Sequence, residues 1–163
     1  MLMAASIPRR SERLRRIQIW SKMKVSVLCS STAHPVYPHL ESWVRRAGVS
    51  HDVELVQKKA ELSGGDILLL ISCHEIISQR DRQRYAASLV IHASDLPEGR
   101  GWSPHIWQIL EGKREIVVSL IEAQDPVDSG AIWAQRPLVL DGHELCDARC
   151  HGLGHHPRRD RAE

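Results

Sequence analysis

The chain has 163 residues, 42% of them hydrophobic and 26% charged, which is room for one domain with a substantial core and too little for two comfortable ones. Charge is uneven along it: residues 1–24 hold seven Lys or Arg and one acid, residues 141–163 hold four and five, and the total of +2 leaves −3 for residues 25–140. A central domain of that sign has no general electrostatic reason to bind nucleic acid, and no run reaches the roughly 18 apolar residues of a membrane span. No apolar signal-peptide core stands at the front, and Cys29, Cys73, Cys146 and Cys150 form no disulfide framework, so a reducing, cytoplasmic setting is expected.

Residues 1–22 are basic, with Arg9, Arg10, Arg13, Arg15 and Arg16, and read as an N-terminal extension ahead of a domain spanning 23–140. A targeting peptide and a phosphate-binding arm are the alternatives. Val25-Ser26-Val27-Leu28-Cys29 is a strand, and Ser30-Ser31-Thr32 after it are small polar residues that either hold a phosphate or only shape the turn. Leu40, Trp43, Val44 and Ala47 recur at helical spacing over 38–47, and Gly48 ends that helix. Asp52 to Val56 alternates like a half-exposed strand. Lys58 and Lys59 read as solvated surface, with a substrate phosphate as the other possibility. After a turn at Ser63-Gly64-Gly65, residues 66–73 are nearly all apolar, which suits a central parallel strand covered on both faces. Cys29 and Cys73 both fall in such predicted strands, where free cysteine behaves as a small apolar residue. His74 reads as a loop residue, and a short helix runs through Arg80 to Arg84.

Leu89-Val90-Ile91 belong to a strand at 88–92, and His92 stands where it meets a loop punctuated by Pro97, Gly99 and Gly101. Open α/β sheets hold ligands at the carboxyl ends of strands. His92 is a site candidate on position alone, with a hydrogen-bonded structural histidine as the competing reading. Ser103 and Pro104 open a helix over 104–111 as N-cap and first residue. Strands follow at 116–122 and 131–140, and Asp128 sits in the turn between them, where Ser129-Gly130 lets the backbone reverse. The alternation predicts an α/β, Rossmann-like, mostly parallel sheet flanked by helices. The last two strands are linked too closely for a helical crossover and are expected to be antiparallel. Over 141–163 helical periodicity is lost. Cys146, Cys150, His151, His155 and His156 lack the close pairs of zinc ligands, so no metal is expected.

The ordered set His92, Ser94, Leu96-Pro97, Arg100-Gly101, Pro104, Ile106-Trp107, Gly112 and Asp128-Ser129-Gly130 resembles the formyltransferase family, enzymes that move a formyl group from 10-formyltetrahydrofolate to an amine. That family carries a strand-end Asn-x-His, a Ser-Leu-Leu-Pro-like stretch with Arg-Gly, a Pro opening an apolar helix, and an Asp-x-Gly before a strand. The resemblance is strong over 88–135 and looser over 24–87. It implies the formyltransferase fold, with the family's usual C-terminal helix missing from the irregular tail at 141–163.

The resemblance also implies roles. His92 and Asp128 become the catalytic pair, an imidazole whose tautomer a neighbouring carboxylate holds. Ser72, Ile76, Ile77, Glu122 and Ala123 line the pterin pocket of the formyl donor, and Ser30, Ser31, Ser94, Arg100 and Gly101 face the amine. One position departs: Val90 stands where the family has Asn. Residues two apart on a strand face the same way, so Asn and His act on one formyl group. Valine gives a developing oxyanion no hydrogen bond, a loss of about 3 kcal/mol in the barrier. The implied activity is transfer of this one-carbon group to a primary amine of an amino-sugar nucleotide or another small amine. A methionyl-tRNA formyltransferase is the runner-up, although that branch resembles a two-domain protein and calls for a basic surface. From a different class comes a catalytically inactive or truncated remnant that binds folate.

Overall fold

The computed structural model describes residues 22–101 and 103–140. The expectations for the basic extension up to residue 21 and for the Cys/His-bearing tail at 141–163 lie outside the described residues. Six strands form one sheet: β1 Lys24–Leu28, β2 Asp52–Val56, β3 Gly65–Leu70, β4 Tyr85–His92, β5 Glu115–Glu122 and β6 Ile132–Val139. Their order is β2-β1-β3-β4-β5-β6. The helices are α1 Tyr37–Ala47, α2 Gln79–Arg82 and α3 Pro104–Leu110, with a 3-10 turn at Lys59–Glu61.

Strands β2, β1, β3 and β4 run parallel, as the apolar runs and strand–helix alternation predict. Successive side chains alternate between the two faces. Leu28, Leu68 and Leu70 join Leu62, Ile77 and Tyr85 on one face, and Val27 and Cys29 meet Leu40 of α1 on the other. The β5–β6 pair is antiparallel, as the short link requires. The β4–β5 pair is antiparallel too, with His92 opposite Ser119 and Leu89 opposite Glu122. The α/β alternation does not signal this. The connection through α3 brings the chain back at the carboxyl end of β4, so β5 runs the other way.

Several boundaries differ from those read in the sequence. Strand β3 stops at Leu70 because Ser72 takes the left-handed conformation, with φ 51°, and turns the chain out of the sheet. Cys73 therefore lies in a loop and not in a strand, half-buried, with its thiol directed at the Glu75 carbonyl oxygen 3.4 Å away. Strand β4 starts at Tyr85, where a buried ring joins the core. Helix α2 starts at Gln79, after a reciprocal cap in which the Ser78 hydroxyl accepts from the Asp81 N–H and the Asp81 carboxylate accepts from the Ser78 N–H. Ser103 is not the expected N-cap: at φ 49° and ψ 48° its side chain makes no capping bond, whereas Pro104 does occupy the first turn.

The buried hydroxyl of Ser26 in β1 is fully satisfied. It donates to Glu54 Oε1 at 2.5 Å and accepts from the Tyr85 hydroxyl at 2.8 Å. The Ser63 N–H reaches the same carboxylate at 3.1 Å. Burial alone would raise the Glu54 pKa, but the bonds from Ser26 and Ser63 and the nearby Lys24 charge outweigh it and hold the group below the ordinary carboxylate range. A depressed folded-state pKa contributes stability above the unfolded value, about 4.3, and that contribution is lost as pH falls through the folded value. Melting scans of wild type and Glu54→Gln are expected to differ most near neutral pH and to converge on acidification below about pH 4. Parallel curves at every pH would show that the charge is not what this network needs.

Candidate active site

Beyond the carboxyl ends of β3 and β4 lies a cavity of about 700 Å³. Its apolar wall includes Leu70 and Ile71 at the end of β3, Ile77 ahead of α2, and Val90 of β4. Its polar wall includes His92, Arg100, Asp128 and His105. Val90 and His92, two apart on β4, both line it, as does Ile91 between them at the strand's end.

His92 is held on two sides. Its Nε2 lies 2.9 Å from the Gly99 carbonyl oxygen. A carbonyl only accepts, so Nε2 carries the hydrogen. Its Nδ1 is 3.8 Å from Asp128 Oδ1, and the two side chains are only 9% and 6% exposed. Asp128 takes φ 57°, a conformation that Asp tolerates better than most residues. Its Oδ2 accepts the Gly101 N–H at 3.0 Å. Asp128 therefore ties the loop after β5 to the loop after β4. The latter is anchored from below as well: the Ser119 hydroxyl donates to the Ser94 carbonyl at 2.6 Å, and the Gln135 amide donates to Asp95 Oδ1 at 3.1 Å. Gly99, at φ 66°, passes so close to Ser94 that a β-carbon there would sit 2.9 Å from the Ser94 β-carbon.

The loop after β5 is braced on its outer side. Arg82 of α2 forms an ion pair with Asp125 at 2.6 Å and donates to the Ile77 carbonyl at 2.6 Å. The hydrogen bonds from Arg82 hold the Asp125 carboxyl below the usual carboxylate range. Two further histidines, His34 and His105, face the cavity. Burial pushes the pKa of each down, and so do neighbouring imidazoles: His74 for His34, and His34 and His92 for His105. Burial pushes the Cys73 thiol up, keeping it neutral. Among the described residues no group of three or more His, Cys, Asp or Glu is placed to hold a metal ion. No helix among them is long and apolar enough to cross a membrane.

Of the residues singled out in the sequence, His92, Asp128, Ser72, Ile76, Ile77, Glu122, Ala123, Arg100 and Gly101 all line this cavity. Ser30, Ser31 and Ser94 do not. Ser30 accepts the His74 N–H at 2.9 Å and Ser31 accepts the Ala33 N–H at 3.2 Å, so both shape the first loop. Ser94 is fully buried behind Gly99. Sequence reading missed His34, His105 and the Arg82–Asp125 brace. His105 did have a signal, its place one residue after the Pro that opens a helix next to a glycine-rich loop. Arg82 and Asp125 are 43 residues apart in the chain, and nothing local links them.

The profile of the family described as Formyl transferase matches residues 21–147. A methionyl-tRNA formyltransferase from Levilactobacillus brevis is 27% identical over 109 residues, 60% of this chain and 34% of the relative. A dTDP-4-amino-4,6-dideoxyglucose formyltransferase from Mycobacterium bovis is 30% identical over 73 residues, 40% of this chain and 31% of the relative. The crystal structure of HypX from Aquifex aeolicus in complex with tetrahydrofolic acid superimposes with a TM-score of 0.60 at 25% identity, covering 74% of this chain and 22% of that one. The chain spans between 16% and 34% of the length of these and other curated relatives it matches.

Proposed function

The chain belongs to the formyl transferase family, and from that premise we propose that its cavity takes a formyl group carried on tetrahydrofolate and transfers it to a primary amine. The observation that carries this reading is the His92–Asp128 pair, closely buried and facing one cavity at the carboxyl end of a central strand. The HypX structure with tetrahydrofolic acid supports the choice of donor.

The cavity's chemistry fits such a donor. Its volume is within the usual range for a small-molecule site, about 300–1,000 Å³. Leu70, Ile77 and Val90 offer apolar surface to a flat heterocycle, and the backbone around Ser72 and Ala123 borders it. The donor supplies a formyl carbon bound to nitrogen, which an amine attacks. Everything else falls to this chain's own groups. Asp128 keeps His92 oriented, its Oδ1 lying 3.8 Å from Nδ1. The pair is placed to accept a proton from the amine. Arg100, exposed on the loop between the two, is placed for a charged portion of the acceptor.

For the acceptor, an amino sugar linked to a nucleotide is favoured by the relative from Mycobacterium bovis, a dTDP-4-amino-4,6-dideoxyglucose formyltransferase by name. Methionyl-tRNA is the second reading, and the relative from Levilactobacillus brevis speaks for it. The net charge of −3 over residues 25–140 speaks against it, because tRNA binding draws on cationic surface. The test is a calorimetric titration of the protein with a non-transferable 10-formyltetrahydrofolate analogue. Saturable binding that weakens in Ile77→Asp is expected. A folded protein that takes up no analogue would remove the donor from this reading.

A further inference from the structure

His105 is the second residue of α3, directly after Pro104, and lies on the wall of the cavity that His92 and Asp128 share. Its two ring nitrogens differ. Nδ1 is sealed from solvent, and no hydrogen-bond partner reaches it among the described residues. Nε2 is not among the sealed atoms, and the residue, partly exposed, lines the cavity. Burial first, and then the neighbouring imidazoles of His34 and His92, pushes the pKa of the ring down, so near neutral pH it carries one hydrogen. A buried N–H without an acceptor is rarer than a buried acceptor without a donor. The hydrogen therefore belongs on Nε2, the nitrogen that a ligand can reach.

The neighbouring groups leave such a donor a task. The Nε2–H of His92 is committed to the Gly99 carbonyl, and its Nδ1 faces the Asp128 carboxylate. Val90 lines the cavity without a polar side-chain atom. Arg100 is exposed, so water competes for its hydrogen bonds, whereas His105 is fixed at the start of a helix. We infer that His105 is a catalytic donor, whose Nε2–H bonds the formyl oxygen as that oxygen gains negative charge. This rests on the formyl-transfer reading. In the step, the amine nitrogen bonds to the formyl carbon, the carbon's bond to the folate nitrogen breaks, and the proton shed by the amine ends on that nitrogen. His105 keeps its hydrogen throughout.

Three proteins test this: wild type, His105→Ala, and the double variant Val90→Asn with His105→Ala. If wild type transfers formyl groups, His105→Ala is expected to lower kcat about 10²–10³-fold, the usual effect of losing one oxyanion donor. KM should change far less, because the bond strengthens only as charge develops. The double variant should recover at least part of the loss, since the introduced asparagine supplies an amide N–H from the same strand face. A kcat for His105→Ala equal to that of an active wild type would overturn the assignment alone. No turnover by wild type would remove the formyl-transfer reading and this assignment with it. A readout without turnover is nitrogen-15 histidine spectroscopy of the free protein near neutral pH. It should show His105 neutral with its hydrogen on Nε2; an Nδ1–H tautomer or an imidazolium would refute the assignment.

Discussion

Asp128→Ala is expected to lower formyl transfer by about 10²–10⁴-fold while the domain stays folded. The side chain makes two contacts that matter to the site. One is the 3.8 Å approach to His92 Nδ1, which orients the ring. The other is the hydrogen bond from the Gly101 N–H, which draws the loop after β4 over the cavity. Asp128→Asn separates the two. Its amide oxygen still accepts from Gly101, and Asn tolerates the φ of 57°. The negative charge beside His92 is gone. The asparagine variant is therefore expected to melt like wild type and to be nearly as inactive as the alanine variant. Activity in Asp128→Asn close to wild type would mean that the carboxylate only ties the loops.

Gly130→Ala has the largest expected effect on stability. A β-carbon at this position would overlap the Glu122 carbonyl oxygen and lie 2.6 Å from the Glu122 carbonyl carbon. These are backbone atoms at the end of β5, where the Glu122 N–H bonds the Ala131 carbonyl. Neither strand yields without breaking the β5–β6 ladder. The cost is placed at about 3 kcal/mol or more, the upper end for overpacking. For a domain of this size that is roughly 10 °C in melting temperature. The same loop carries Asp128, so what remains folded should also transfer poorly. A variant that matches wild type in both melting temperature and transfer would show that the loop has another packing open to it.

How much of this was legible in the sequence depends on what each residue answers to. Apolar runs at 25–29 and 66–73 must pair on both sides to bury themselves, so the parallel half of the sheet could be read directly, apart from the turn that Ser72 makes. The antiparallel β4–β5 pair could not, because it depends on where α3 returns the chain, and local pattern does not encode that. At the site, His92 was visible as a polar residue closing an apolar strand, and Asp128 as one in a glycine turn. Their meeting is a tertiary fact, 36 residues apart in number, and it was the resemblance that paired them. Hydroxyls were the weak point. Ser30, Ser31 and Ser94 looked available for a substrate, but serine in a loop is as often consumed by nearby backbone groups, as Ser30 and Ser31 are here. His105 went unremarked because its significance lies in what fails to reach its Nδ1, and only packing reveals that.

The most direct test is to incubate the protein with 10-formyltetrahydrofolate and a dTDP-linked 4-amino sugar, and to follow formation of the N-formyl sugar by mass spectrometry. The account predicts product with wild type and, in the same time, almost none with Asp128→Ala. Equal product from both, or none from wild type with this sugar, other small amines or methionyl-tRNA, would contradict it.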